Sequence, residues 1–234
     1  MNIAVILAGG SGTRMNNHSP KQFIEINNKP IIEFSIEAFE INDNINEIAI
    51  VSNESCTDKV YSIINNNGYK KINKVINGGK ERYLSSFAAI TAYQDYPDDT
   101  NIIFHDCARP LISQKTINEV IDALNFHNSV AVAIPATDTV FKLDDCLHFI
   151  DNIPNRSYLF QAQTPQAFKL SLIKKAYKLA LNDTSFAATD DCGIIAKYLP
   201  NEKIFIVIGE KSNMKITYAQ DIILAEAILK DINK

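Results

Sequence analysis

The chain has 234 residues, 46% of them hydrophobic, with a formal net charge of −4 at pH 7. That length holds one large α/β domain or two small ones, with ample apolar material for a core. The acidic balance argues against a broad nucleic-acid surface, so any anion site must be built locally from a few convergent cations, and no apolar run approaches the roughly 20 residues a membrane span needs.

In chain order, short apolar runs alternate with amphipathic stretches, the rhythm of a mostly parallel sheet covered on both faces. Strands are predicted at 3–8, 47–52, 101–105, 129–134 and 204–208, and helices at 30–40, 81–94, 114–126, 169–181 and 218–231. Pro30 is a favourable first-turn residue for the first of these helices. Residues 137–163 break the rhythm, with two alternating segments around the polar Asp144-Asp145 pair. They read as a β-hairpin arm leaving the sheet, and a protruding arm needs something to lie against, a second subunit being the simplest candidate. The N-terminus is itself a strand without a basic leader, so no signal peptide is expected. Cys56, Cys107, Cys146 and Cys192 lack zinc spacing and read as buried or incidental thiols of a reducing cytoplasm. The four histidines form no ligand pattern and read as structural or surface residues.

The first strand runs into Ala8-Gly9-Gly10-Ser11-Gly12-Thr13-Arg14, with Pro20-Lys21 following. Met15 stands where a dinucleotide fingerprint needs its third glycine, and no Gly-Lys-Ser/Thr follows as a phosphate loop requires. What remains is a wide glycine turn whose N–H groups can line up on phosphate oxygens, with Arg14 and Lys21 supplying charge; alone, it could equally be a tight strand-to-helix turn with two solvated cations. Two further segments are ambiguous in isolation. Residues 78–85 could be an ordinary helix start, and Asp106 with Arg109 a structural ion pair, although a carboxylate at a strand's carboxyl end is a common ligand position in α/β folds.

The whole series of motifs resolves these alternatives. L-A-G-G-S-G-T-R-M with S-P-K-Q, then G-G-K-E-R-Y-L-S (78–85), H-D-C-A-R-P (105–110), D-T-V (138–140), I-P-N-R-S-Y-L-F-Q-A-Q-T-P-Q (153–166), A-T-D-D (188–191) and N-M-K-I-T (213–217) follow one another in order along nearly the whole chain. Together they resemble the small cytidylyltransferases acting on polyol phosphates, a family that includes methylerythritol-phosphate and ribitol-5-phosphate cytidylyltransferases. The resemblance implies one Rossmann-like α/β nucleotidyltransferase domain over 1–234, a dimerisation arm at 137–163 and a homodimer in the cytoplasm. It also implies CTP and a small polyol phosphate as substrates, Mg²⁺ held mainly by the triphosphate, and no nucleic acid or membrane partner.

Site roles follow residue by residue from the resemblance. Arg14, Lys21, Arg156 and Lys215 would be the catalytic cations. Leu7, Ala8, Gly9, Gly10 and Gly12 would wrap CTP, Gly78, Gly79, Arg82 and Ser85 would recognise cytosine, and Cys107 would contribute through its backbone. Asp106, Arg109, Thr139, Arg156, Thr164 and Lys215 would bind the polyol phosphate, Thr139 across the dimer, with Asp106 also the candidate metal ligand. The chain departs from the family at Ala88-Ala89, where Asn-Gly is usual, and at Cys107, where Ala or Ser is usual. The reaction implied joins two anions, so positioning and electrostatics carry it without a protein nucleophile. A non-catalytic nucleotide-binding protein on the same fold is the opposing reading; retention of Lys21 and Lys215 argues against it. Ile153-Pro154-Asn155 before Arg156, G-E-K-S-N-M-K-I-T, and the lack of tryptophan resemble the ribitol-phosphate members more than the methylerythritol-phosphate ones.

Overall fold

The computed structural model describes residues 1–10, 20–188 and 190–232. The element order is β1 (Asn2–Ala8), β2 (Glu25–Ile26), β3 (Lys29–Pro30), α1 (Ile31–Glu40), β4 (Glu47–Ser52), α2 (Thr57–Asn67), β5 (Ile72–Asn77), α3 (Arg82–Ala92), β6 (Asn101–Asp106), α4 (Gln114–Ala123) and β7 (Ser129–Pro135). It continues with β8 (Lys142–Leu143), β9 (Ile150–Asn152), β10 (Phe160–Lys169), α5 (Leu170–Ala180), α6 (Asp191–Tyr198), β11 (Phe205–Ile208) and α7 (Ala219–Ile232). Among the described residues the main sheet has seven strands in the order β11-β7-β10-β6-β1-β4-β5. β10 alone runs antiparallel to its neighbours.

Period-two alternation along β1 sorts its side chains between two cores. Ala4, Ile6 and Ala8 join the residues of α1, α2 and α4 on one face, with α7 packed against them. Ile3 and Val5 join α3, α5 and α6 on the other. Local chemistry sets the helix ends. Ser113 caps α4 by accepting from Thr116 N–H, Asp190 caps α6 by accepting from Gly193 N–H, and Gly68 closes α2 in the left-handed conformation.

The predicted strands and helices fall where expected within a residue or two, except that α4 ends at Ala123, three residues before the predicted 126. Six elements lie outside the prediction: the two-residue strands β2 and β3, and α2, β5, α6 and β10. The last corrects the arm's boundary, because residues 160–162 pair with β7 in the main sheet (Phe160↔Pro135, Gln161↔Ile134, Ala162↔Ala133). The hairpin proper is short, Lys142↔Asn152 and Leu143↔Ile150. Pro165 cannot donate to a ladder, and the β10–β7 register shifts between Ala162 and Gln166, where the Thr164-Pro165 peptide is cis.

The chain moves from β1 to β4 and β5, then returns to the other side of β1 at β6. This reversal is a topological switch point, and crevices outside the carboxyl ends of such strands are where open α/β sheets bind ligands.

Candidate active site

A cleft of about 500 Å³ opens at that switch point. Its wall is made from successive strand ends: Leu7 to Gly10 after β1, Asn53 after β4, Gly79 to Arg82 after β5, and Asp106 to Ala108 at the end of β6. Lys21 lines it from the 3-10 turn Lys21–Phe23, whose Gln22 and Phe23 are buried and anchor the turn. Lys215 and Thr217 reach it from the segment between β11 and α7. Arg14 and Gly12 lie outside the described residues.

Asp106 is the hub of the site's charges. Its Oδ2 accepts from Lys215 Nζ at 2.7 Å and its Oδ1 from Arg82 Nε at 3.2 Å. Burial alone would raise its pKa, but the flanking Arg82 and Lys215 cations outweigh burial and hold the carboxyl well below the usual carboxylate range. Arg82 in turn donates from Nη1 to Asp191 Oδ2 at 2.7 Å, and Tyr177 OH donates to Asp191 Oδ1 at 2.6 Å. Burial would lower the guanidinium pKa, but Asp191 and Asp106 more than offset it and raise it. Arg82 Nη2 is buried with no hydrogen-bond partner among the described residues, a donor that a nucleotide could satisfy.

Asp191 is fully buried. Asp191→Ala would therefore leave Arg82 partly buried without its closer carboxylate. Breaking one side of such a pair is expected to lower stability by about 3 kcal/mol, read as a fall in Tm and in the urea midpoint, while Tyr177→Phe should cost less.

Lys215 is placed by backbone pinning. Asn213 Nδ2 donates to Thr164 O at 2.8 Å and Gln163 Oε1 at 3.2 Å, and Ile216 N donates to Ala108 O at 2.8 Å. Arg109 bonds the same region, from Nη1 to Asn213 O at 2.8 Å and from Nη2 to Ala162 O at 3.1 Å. The bulge in β10 is thus clamped to the 213–216 loop, and the clamp fixes Lys215 over Asp106.

The glycine turn 78–79 is shaped by close approach. A Cβ on Gly78 would lie 2.6 Å from Ser85 Oγ and 3.1 Å from Val51 Cγ1, so Ser85 is buried directly under that turn. Cys107 N–H, expected to face the nucleotide, instead donates to Leu7 O at 3.1 Å. Burial pushes the Cys107 thiol far up, so it offers no thiolate nucleophile. Thr164 is 3% exposed, its hydroxyl engaged with His105 Nδ1 and Asp106 N–H, and it does not line the cleft.

Of the sequence-predicted residues, one chain therefore brings together Leu7, Ala8, Gly9, Gly10, Lys21, Gly79, Arg82, Ser85, Asp106, Cys107 and Lys215, while Gly78, Arg109 and Thr164 do not line the cleft. It does not bring Thr139 and Arg156 to the cleft. Both are exposed on the arm, and Arg156 Nη1 donates to Thr137 O at 2.9 Å. Residue-by-residue reading assigned no role to Asp191, Tyr177 and Asn213. Asp191 and Asn213 stand inside quoted motifs, while Tyr177 lies in an ordinary amphipathic helix and gives no signal.

The comparisons with known proteins agree with this geometry. The family model described as "IspD: 2-C-methyl-D-erythritol 4-phosphate cytidylyltransferase" matches residues 2–231. A Haemophilus influenzae protein named bifunctional ribulose 5-phosphate reductase/CDP-ribitol pyrophosphorylase Bcs1 is 41% identical over 98% of this chain, which spans 48% of that protein's length. A 2-C-methyl-D-erythritol 4-phosphate cytidylyltransferase of Bifidobacterium longum is 40% identical, covering 98% of this chain and 80% of the relative. The crystal structure of the 4-diphosphocytidyl-2C-methyl-D-erythritol synthase of Anaerococcus prevotii superposes with a TM-score of 0.85 at 32% identity, over 98% of both chains. With a matched family model, a matched fold and a cleft that converges cations on one ionised carboxylate, the chain belongs to the IspD family and is a cytidylyltransferase.

Proposed function

We propose that this enzyme transfers CMP from CTP to the phosphate of a small polyol phosphate, and that the acceptor is D-ribitol 5-phosphate, giving CDP-ribitol and pyrophosphate. The observation that carries the polyol-phosphate reading is the convergence of Lys21, Arg82 and Lys215 around the buried, ionised carboxylate of Asp106 at the switch point. A phosphate-monoester oxygen of the acceptor attacks the α-phosphorus of CTP, one P–O bond forms, the α–β bridging P–O bond breaks, and pyrophosphate leaves. Lys21 holds the triphosphate and meets the charge that grows on it, with Arg14 as its partner by resemblance. Lys215 and Asp106 receive the acceptor. The turn 78–85 faces the base, with Ser85 beneath it.

A divalent cation fits this arrangement in one way. Among the described residues there is no cluster of three or more His, Cys, Asp or Glu able to hold a metal alone. Mg²⁺ commonly rests on substrate phosphates plus one or two carboxylates, and Asp106 is placed to be that carboxylate. The cation would supply neutralisation of phosphate charge.

We also assign a homodimer. Phe141, Leu143, Leu147, Phe149, Ile150 and Ile153 are exposed on the arm, a concentration of apolar side chains that a symmetric partner would cover. Thr139 and Arg156 would then reach a cleft across the interface. The four free thiols suit a cytoplasmic setting, and no helix among the described residues is long and apolar enough to cross a membrane.

For the acceptor, support comes from Ile153-Pro154-Asn155-Arg156 and from the 41% identity to the protein named for CDP-ribitol. Methylerythritol 4-phosphate is the second reading, favoured by the family model's description and by the Bifidobacterium longum relative. Pyrophosphate release with CTP and each acceptor decides between them. The kcat/KM for ribitol 5-phosphate should exceed that for methylerythritol 4-phosphate by at least about tenfold; the reverse order would install the second reading.

A further inference from the structure

His105 has no role in the reaction as described so far, and the sequence reads it, like the other histidines, as a structural or surface residue. It is 0% exposed, one residue before Asp106, and its ring packs against Phe39 with centroids 5.3 Å apart. Both ring nitrogens are engaged. Nε2 lies 3.0 Å from Arg109 O, and Nδ1 lies 3.1 Å from Thr164 Oγ1, which lies 3.1 Å from Asp106 N.

Full burial favours the neutral imidazole, and for that form the three contacts admit a single proton arrangement. A backbone carbonyl only accepts, so Nε2 must carry the proton. Nδ1 is then an acceptor, so the Thr164 hydroxyl donates to it. The Thr164 oxygen is left to accept from Asp106 N–H, a group that can only donate. The chain therefore runs one way, Asp106 N–H to Thr164, Thr164 O–H to His105, His105 Nε2–H to Arg109 O. It bridges the two ends of the 106–109 turn, which Arg109 N→Asp106 O closes at 2.9 Å.

That turn carries the Asp106 carboxylate at one end and the Arg109 guanidinium at the other. Arg109 in turn grips Asn213 O, two residues before Lys215. Thr164 is also tied to this loop through its own carbonyl, which accepts from Asn213. His105 thus sits where the β6 end, the β10 bulge and the 213–216 loop meet. It does not line the cleft and both its nitrogens are committed, so it is not placed to move a proton to or from a substrate.

We infer that His105 is a positioning residue for the acceptor side, acting through Thr164 and the Arg109 carbonyl to hold the 106–109 turn, and with it Asp106 and Lys215, in the geometry that receives the polyol phosphate. The inference rests on the reading that Asp106 and Lys215 meet the acceptor. The nucleotide side, built on β1 and the 78–85 turn, meets this region through the Asp106 carboxylate and through backbone pairing of β1 with β6 and Cys107, bonds that substitution of the His105 or Thr164 side chain leaves in place.

The test measures KM for each substrate and kcat by pyrophosphate release, with CTP and ribitol 5-phosphate, or methylerythritol 4-phosphate if the wild type uses that acceptor. His105→Gln keeps a donor for Arg109 O and removes the Nδ1 acceptor. Thr164→Val removes the hydroxyl with little change of shape and is the variant most certain to fold. Each should raise the acceptor KM by about tenfold, the worth of one well-placed hydrogen bond, with the CTP KM within about twofold of wild type. The double variant should be no worse than the worse single one, because the chain is broken only once. Unchanged acceptor KM in the folded single variants would overturn the inference, as would a parallel rise in both KM values with a lowered Tm, the mark of general loosening. Asp106→Asn is assayed alongside. If it too leaves the acceptor KM unmoved, the acceptor-site reading fails with the inference; if it alone raises that KM, only the role of His105 fails.

Discussion

Alanine at Lys21 should lower kcat by about 100-fold or more, a few kcal/mol of lost transition-state stabilisation, while Tm stays within the small range of surface substitutions. The separation of the two readouts follows from how the residue is held. Gln22 and Phe23 are buried and fix the 3-10 turn, leaving the Lys21 side chain to line the cleft rather than to support the core. Lys215 would be a poorer test of the same electrostatics. Its Nζ partners Asp106 Oδ2 at 2.7 Å, so its removal also strips a buried carboxylate of a cation and mixes stability with activity. Steady-state kinetics of Lys21→Ala with saturating CTP checks the point, and near-normal kcat would remove Lys21 from the role. Lys21→Arg, which keeps the charge and changes its geometry, should recover part of the rate.

The strand ends that build the cleft were legible because they carry both a periodic pattern and a chemical signature. β1 ends in Ala8-Gly9-Gly10 and β6 in His105-Asp106, and each sits at the lip of the pocket. β10 was not legible. Gln161, Ala162, Gln163 and Pro165 look like loop, and the strand survives only because the register shift sets Pro165 where no ladder bond is needed. β5 was missed for a different reason: Ile72-Asn73-Lys74-Val75-Ile76-Asn77 is half-exposed at the sheet edge, with neither a continuous apolar run nor clean alternation. α6 is eight residues long and starts in a motif rich in Asp and Thr, too short for helical periodicity to show.

Within the site, the sequence identified which residues are charged but not which charges meet. Arg82, expected at the base, is gripped by Asp106 and Asp191 in the structure. That triad joins residues 24 and 109 positions apart, distances across which a single sequence carries no pairing information. The same limit explains His105 and Thr164, whose partnership spans 59 positions and depends on the β10 bulge turning the threonine inward. It also bears on substrate entry. The acceptor phosphate must compete with Asp106 for Lys215, while the lining as a whole keeps an excess of cations, Lys21, Lys80, Arg82 and Lys215 against Glu81 and Asp106, to draw an anion in.

Deleting residues 142–150 and bridging the gap with a short turn should convert a dimer to a monomer and reduce kcat/KM for the polyol phosphate by at least about 100-fold, since an orienting arginine would be lost, with CTP binding little changed. The arm cannot be stable by its own pairing, which joins only Lys142↔Asn152 and Leu143↔Ile150. The ion pair between Lys142 and Asp151 is largely exposed and adds little. Yet its apolar side chains point outward, Leu147 and Phe149 each 71% exposed, where an isolated hairpin would be expected to carry polar residues. A second arm packed against the first resolves both difficulties. Arg156, anchored to Thr137 O at the arm's base, and exposed Thr139 would be carried by that packing toward a cleft they do not reach within one chain. The deletion leaves both core clusters intact, so the melting transition of the domain should persist and exclude simple unfolding as the cause of lost activity. Light scattering of the intact enzyme at micromolar concentration is the decisive control: a monomer with full activity would show that Arg156 and Thr139 work in cis or not at all, and would defeat the arrangement.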